Sequence, residues 1–334
     1  MKNLIPLFLA ILFIGAGCVF QKPELAVDSG EAIATPRVET FFAVVTAFDD
    51  AAKVATVRLA DGSSEQAQAG AVSTMDASSV GNLFSLEGTR DPSTRIVDLS
   101  SATKREQNLL VVSPEPKSTV TSPLIVTGFG RTFEQTFGWR IKDSEGTVVA
   151  IGFDMTDAAD IGQFGPFSFE VFLPALTSQS FTLQVFESSA KDGSDQSVVT
   201  VALNLLSLKT TSVSVYFRDT TKASRDCSAA YPVMRTMAET SAVGRASIYE
   251  LLKGPSADEK KLGFLSQIPA GVTLSSLVIS NGVAKADFSA ALKPTRYPCV
   301  DGATARQISQ TLEQFDLVDS AEITVAGAPF VASK

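Results

Sequence analysis

From residue 130 to residue 205, apolar and polar side chains alternate with a period of two. In FEQTFGWRIK, Phe133, Phe137, Trp139 and Ile141 are apolar, while Glu134, Thr136, Arg140 and Lys142 are polar. PFSFEVFLP continues with Phe167, Phe169, Val171 and Leu173, FTLQVFES with Phe181, Leu183 and Val185, and SVVTVALNL with Val199, Val201 and Leu203. Strands of this kind bury one face and wet the other, which predicts a two-sheet sandwich over residues 105–207. Its turns fall at DSEG (143–146) and KDGS (191–194).

The pattern differs on either side. In residues 38–104 the runs TFFAVVTAF, KVATVRLA, NLFSLEG and TRIVDLS are short, and Asp61-Gly62 marks a hairpin. They predict a small β-barrel-like domain, of the oligonucleotide/oligosaccharide-binding kind by strand count, with a structural role expected. In residues 208–330, TSVSVYF alternates at Val213, Val215 and Phe217, and helical spacing then takes over at Ala242, Val243, Ala246, Tyr249 and Leu252. Gly254 and Pro255 stop that helix, and Ser256 to Glu259 has the form of a capping box for the next. LSSLVIS and GVAKADFS flank Asn281-Gly282, a two-residue hairpin signal. A last helix is expected from Ala303 to Phe315, capped by Thr304 and Gln307, before the strand AEITVAG. The fold class is therefore multidomain, mainly β plus α+β: a small barrel, an immunoglobulin-like sandwich with no inter-sheet disulfide, and a C-terminal α+β domain.

Composition narrows the chemistry. The chain has 334 residues, more than one core usually serves, and a net charge of −8. That charge argues against nucleic acid or an anionic membrane surface as an electrostatic partner. Histidine is absent, which removes Ser-His-Asp and Cys-His triads, histidine-ligated metals and imidazole acid–base catalysis. No S-x-x-K run is accompanied by its supporting motifs. No catalytic residue, metal or cofactor is expected.

MKNLIPLFLAILFIGAGC has a short basic start at Lys2, an apolar stretch from Leu4 to Ile14 and small residues at Gly15, Ala16 and Gly17. These are the parts of a signal peptide over residues 1–17. An uncleaved anchor is the competing reading, but the charge-free run from Leu4 to Phe20 is at the short edge of a bilayer span and contains Pro6. The stretch resembles a bacterial lipoprotein signal, in which the cysteine after the small residues, here Cys18, is lipidated and becomes the mature N-terminus. Ala16 and Gly17 fit that pattern, whereas Gly15 stands where a branched apolar residue is usual. Residues 18–37, small, polar and proline-containing, read as a flexible tether. The expected location is extracytoplasmic, with the lipid on Cys18 in the outer face of a bacterial cell membrane.

Assigning Cys18 to lipid leaves Cys227 and Cys299 as an even pair, and export favours a disulfide between them. Such a bond closes a long loop and stabilises by roughly 3–4 kcal/mol in the chain-entropy picture. Redox-active or metal-binding thiols are the rival, made weaker by the lack of histidine and of C-x-x-C spacing. Asp154, Asp157 and Asp160 recur every third residue, but they do not match a calcium loop and read as a solvated acidic loop. Asp192 and Asp195 read as turn residues. Phe172 and Phe186 fall on the outward faces of their strands, where polar residues belong. Together they would mark an interaction surface, and packing against a neighbouring domain is the favoured reading.

Two blocks carry a family resemblance. VVSPEPKSTVTSPLIVTGFGRTFEQTFGWRIKDSEGTVV, GPFSFEVFLP and LQVFESSAKDGSD resemble the immunoglobulin-like (Gmad-type) domain of bacterial spore-germination and envelope proteins. VSVYF, PVMRTM, YELLKGPSADEKKLGFLSQIPAG, NGVAKADFS and TLEQF resemble the sporulation and spore-germination GerM domain. The resemblance implies a non-enzymatic envelope lipoprotein that acts as a scaffold or assembly factor. Its GerM-like domain would resemble ring-building domains, with envelope proteins as partners and self-association through that domain. The resemblance supplies no catalytic residues. A lipoprotein binding cell-wall glycan, with peptidoglycan stacking on exposed aromatics, is the alternative.

Overall fold

The computed structural model describes residues 37–330 apart from 92, 93, 95, 223–225 and 296. The signal peptide, Cys18 and nearly all of the tether lie outside the described residues.

Strands β1 (Arg37–Asp49), β2 (Val54–Arg58), β3 (Ser64–Gln68), β4 (Leu83–Arg90) and β5 (Val97–Lys104) form a closed barrel in the order β1-β2-β3-β5-β4. The long β1 pairs with both β2 and β4, and a register shift between Val45 and Ala47 bends it to do so. Small side chains at Ala43, Ala55 and Ala67 share the barrel interior with Val57, Phe84 and Leu86, which suits a barrel this narrow. At its rim Arg90 holds Glu39 (2.6 Å) and both oxygens of Glu65 (2.8 and 2.9 Å).

The sandwich contains β6 (Leu109–Ser113), β7 (Thr119–Val120), β8 (Leu124–Gly130), β9 (Thr136–Lys142), β10 (Val148–Met155), β11 (Gly165–Val171), β12 (Ser180–Ser188) and β13 (Asp195–Leu205). One sheet runs β10-β9-β12-β13-β7 and the other β11-β8-β6. The alternating residues meet between them: Phe137, Ile141, Phe167, Phe169, Val171, Leu173, Phe181, Leu183, Val185, Val201 and Leu203 are all buried in one cluster. Phe133 departs from the expected pattern and is 59% exposed. The chain turns through positive φ at Glu134 (54°) and Gln135 (61°), so β9 starts only at Thr136 and Phe133 never joins its inward face.

The C-terminal domain follows with β14 (Thr210–Asp219), β15 (Tyr231–Ala238), α1 (Val243–Leu252), α2 (Ala257–Lys261), β16 (Phe264–Leu265), β17 (Leu274–Ser280), β18 (Val283–Phe288), α3 (Pro298–Leu312), β19 (Ser320–Val325) and β20 (Ala328–Pro329). Its sheets are β15-β14-β16 and β17-β18-β19-β20, and α3 carries the chain between the parallel pair β18 and β19. Helix α1 stops at Gly254, whose φ of 74° suits glycine. Ser256 and Glu259 cap α2 reciprocally, and Asn281-Gly282 turns with both residues at positive φ. The last helix corrects the expectation. It starts at Pro298, with proline in its first turn, so Thr304 and Gln307 lie in its middle. Their side chains serve tertiary contacts instead, Thr304 Oγ1 donating to the Gln267 carbonyl (3.1 Å) and Gln307 Oε1 accepting from the Gln267 amide (3.2 Å).

Candidate functional site

The junction of sandwich and C-terminal domain is built from residues that their own strands cannot bury. Phe172 follows β11 and points away from the sandwich core. Its ring lies 4.8 Å from that of Tyr249 on α1, in a buried cluster with Val213, Met237 and Ala246. Backbone pairing continues across the junction, where the Ala238 amide donates to the Leu173 carbonyl (3.0 Å) and Pro174 bridges to Met237. Arg245 of α1 donates to Glu170 of β11 (2.8 Å). Burial raises the Tyr249 hydroxyl pKa, and the negative charge of Glu170 adds to the rise.

Beside this contact lies a groove of about 390 Å³, lined by Trp139 and Ile151 from the sandwich and by Tyr249, Leu252, Val272 and Leu274 from the C-terminal domain. Trp139 is stacked on Phe169, with ring centroids 5.7 Å apart, which fixes the indole as one wall. The groove reaches the start of β10 at Val149, Ala150 and Ile151, and the outward side chains Ile151, Phe153 and Met155 of that strand are 60%, 66% and 58% exposed. An apolar cleft next to an open strand edge can accept a side chain and a backbone together.

Phe172 and Phe186 do not form an open surface; both are 4% exposed. Phe172 fills the domain junction. Phe186 stays within the sandwich domain, on the outer face of its sheet: its ring occupies the space above Gly138, where a Cβ would come within 2.6 Å, and Arg140 covers it at 4.5 Å.

The acidic residues separate by role. Asp157 pairs with Arg58 of the barrel, and Arg58 also donates to the Asp157 carbonyl (3.0 Å). Asp195 pairs with Arg140 (2.6 Å) and Asp192 accepts from Ser194. Asp154 accepts from the amide of Met155 (2.8 Å), and burial raises its pKa. Among the described residues no group of three or more Cys, Asp or Glu is placed to hold a metal ion.

The C-terminal domain carries two constellations whose long-range partners sequence reasoning missed. Arg235 on β15 pairs with both carboxylate oxygens of Glu259, lies 3.7 Å from Glu250 and donates to the Gly254 carbonyl (3.4 Å). Lys253 completes the network on Glu250. Burial pushes the Glu259 carboxyl upward, but the Arg235 hydrogen bonds and the Ser256 amide outweigh it and hold the pKa below its ordinary value. Only the Ser256–Glu259 part had a local signal. Asp287 accepts from Thr324 Oγ1 (2.5 Å) and from the Gly327 amide (2.9 Å), and these two bonds, in that order, lower its pKa. Cys227 and Cys299 form a disulfide across 72 positions. Cys299 lies in the first turn of α3.

Comparison with known families agrees with this architecture. Residues 108–194 match the immunoglobulin-like domain of bacterial spore germination, and residues 214–331 match the sporulation and spore germination domain. The chain thus combines a spore-germination immunoglobulin-like domain with a GerM-type domain, and neither description is that of an enzyme family. Among solved structures it is similar to the tandem GerMN domains of the sporulation protein GerM from Bacillus subtilis. The identity is 22% over 36% of this chain and 41% of that one, with a TM-score of 0.27. It is also similar to the first GerMN domain of the same protein, at 21% identity over 36% of this chain and 85% of that one, with a TM-score of 0.26. The chain spans about two fifths of the length of the tandem structure, and the domain matches rest on the family models. The comparison with curated proteins finds no match.

Proposed function

We propose that this chain is a membrane-anchored, non-enzymatic envelope protein that acts as a scaffold or assembly factor through protein–protein contacts. The supporting observation is the junction around Phe172 and Tyr249. It joins an immunoglobulin-like domain and a GerM-type domain through buried apolar contact and an isolated backbone bridge, so a partner held by one domain is held at a set place relative to the other. Lipidation of Cys18 supplies the anchor and residues 18–37 the reach, while the C-terminal domain contacts envelope proteins, a second copy among them.

Two measurements test this reading. Labelling with a palmitate analogue marks the wild-type chain and leaves Cys18→Ser unlabelled and released from the membrane fraction. Pull-down from crosslinked envelope then recovers protein partners; recovery of peptidoglycan alone would sink the assembly reading.

A further inference from the structure

Among the described residues, strand β10 is the end strand of its sheet and pairs only with β9. The register sets Ala150, Gly152 and Asp154 opposite Ile141, Trp139 and Phe137 on the inward face, and Ile151, Phe153 and Met155 opposite Arg140, Gly138 and Thr136 on the outward face. The Thr156 amide donates to the Gln135 carbonyl across the ladder (2.8 Å). Even-numbered residues of β10 therefore direct their backbone groups at β9, and odd-numbered residues direct theirs away. Of the outward amides, that of Met155 is met by the neighbouring Asp154 carboxylate, and those of Ile151 and Phe153 face open edge.

A row of amides and carbonyls at strand spacing is matched by another polypeptide backbone, and by neither a sugar nor a lipid. Charge selects which polypeptide. Asp154 is half-buried beside Gly152, which has no side chain, and among the described residues no cation pairs with it. Asp157 and Asp160 extend the acidic character past the strand end, where Arg58 engages Asp157. An inward-pointing carboxylate on an edge strand opposes addition of a neutral or acidic strand. A second copy would bring another VVAIGFDM strand, which has no lysine or arginine, on a chain of net charge −8. A strand with a cation across from Asp154 meets no such opposition.

We propose that the edge of β10 binds an extended, lysine- or arginine-bearing segment of a partner protein as an added antiparallel strand. Its cation lies across from Asp154, and a large apolar side chain four residues later enters the groove between Trp139 and Tyr249. This inference deepens the scaffold reading, on which it rests for the existence of a protein partner. It is tested on the purified full chain, so its failure leaves anchoring and envelope pull-down untouched.

Trp139 is the single tryptophan of the chain and a wall of the groove, so its emission reports occupancy directly. The probe is the peptide acetyl-Lys-Val-Thr-Val-Phe-amide. Its inward-facing residues are the lysine, threonine and phenylalanine, and its two valine amides face Ile151 and Phe153. A saturable change in Trp139 emission is expected. Binding should be about tenfold weaker when glutamate replaces the lysine, and lost when both valine amides are N-methylated. Asp154→Asn, whose folding is checked by thermal melting, should bring the lysine and glutamate peptides to similar affinity. The proposal is overturned by no saturable change with the lysine peptide, by equal binding of the N-methylated peptide, or by equal binding of both charge forms to the wild type. It is also overturned if a chitooligosaccharide produces the Trp139 change instead. Sedimentation showing a dimer that Phe153→Lys dissolves would assign the edge to a second copy and overturn it too.

Discussion

Asp154 and Asp287 are both strand carboxylates, and their surroundings give them opposite signs in the stability of the fold. Burial raises the Asp154 pKa above 3.8, so the native state binds its proton more readily than the unfolded chain does. That stability is fully present below the unfolded pKa and is lost as pH rises through the higher folded pKa. Asp154→Asn is therefore expected to be more stable than wild type at pH 7, with the difference fading as pH falls towards 3.8 in urea melts. Asp287 is the reverse case. Thr324 and Gly327 lower its pKa, which adds stability above the unfolded value and loses it as pH falls through the folded one. Asp287→Ala should melt below wild type at pH 7, and the gap should narrow in acid over that same interval. The alternation of GVAKADFS placed Asp287 on its strand correctly. Its partners Thr324 and Gly327 come from beyond α3, and no local pattern announces a bond made across that distance.

Elements were most legible where one face is buried and the other wet. β9 and β11 to β13 owe their visibility to the two-sheet core, and α1, α2 and the Asn281-Gly282 turn to local caps and backbone signs. β3 was harder to see because SEQAQ buries one small residue, Ala67, between polar neighbours. The start of α3 was missed because Pro298 and Cys299 resemble loop residues until the disulfide and the packing of Thr304 and Gln307 are known. The network at Arg235 could not be read either, since it binds β15, α1 and α2 across segments distant in sequence. Removing its centre leaves Glu259 without its cation and Glu250, 8% exposed, with Lys253 alone. Arg235→Met is accordingly expected to cost about 3 kcal/mol in chemical denaturation. Ser256→Ala, which removes only the cap of α2, should cost about 1 kcal/mol. Equal effects would mean that the network contributes no more than a helix end.

At the scale of the whole molecule, two junctions determine whether the domains unfold together. Val44 and Leu83 of the barrel meet Phe129 and Phe164 of the sandwich, with Arg131 over the Phe164 ring at 4.7 Å. On the other side Phe172 meets Tyr249, Val213, Met237 and Ala246. Sequence patterning could not show these seams, because a phenylalanine on an outward strand face looks the same whether a neighbour or solvent covers it. Phe172 and Phe186 illustrate this: both break alternation and both are buried, yet one joins two domains and the other stays within one. Truncation separates their roles. Phe172→Ala is expected to lose about 3 kcal/mol chiefly from coupling, so that calorimetry shows the sandwich and C-terminal domain melting as separate transitions. The amide of Ala238, bonded to Leu173 across the seam, should exchange faster in that variant. Phe186→Ala should lower stability by a similar amount through loss of the ring over Gly138 and under Arg140, while leaving Ala238 protected and the domains coupled. If Phe172→Ala kept the wild-type coupling, the two domains would be joined by their backbone bridge alone, and the buried aromatic contact would not be what aligns them.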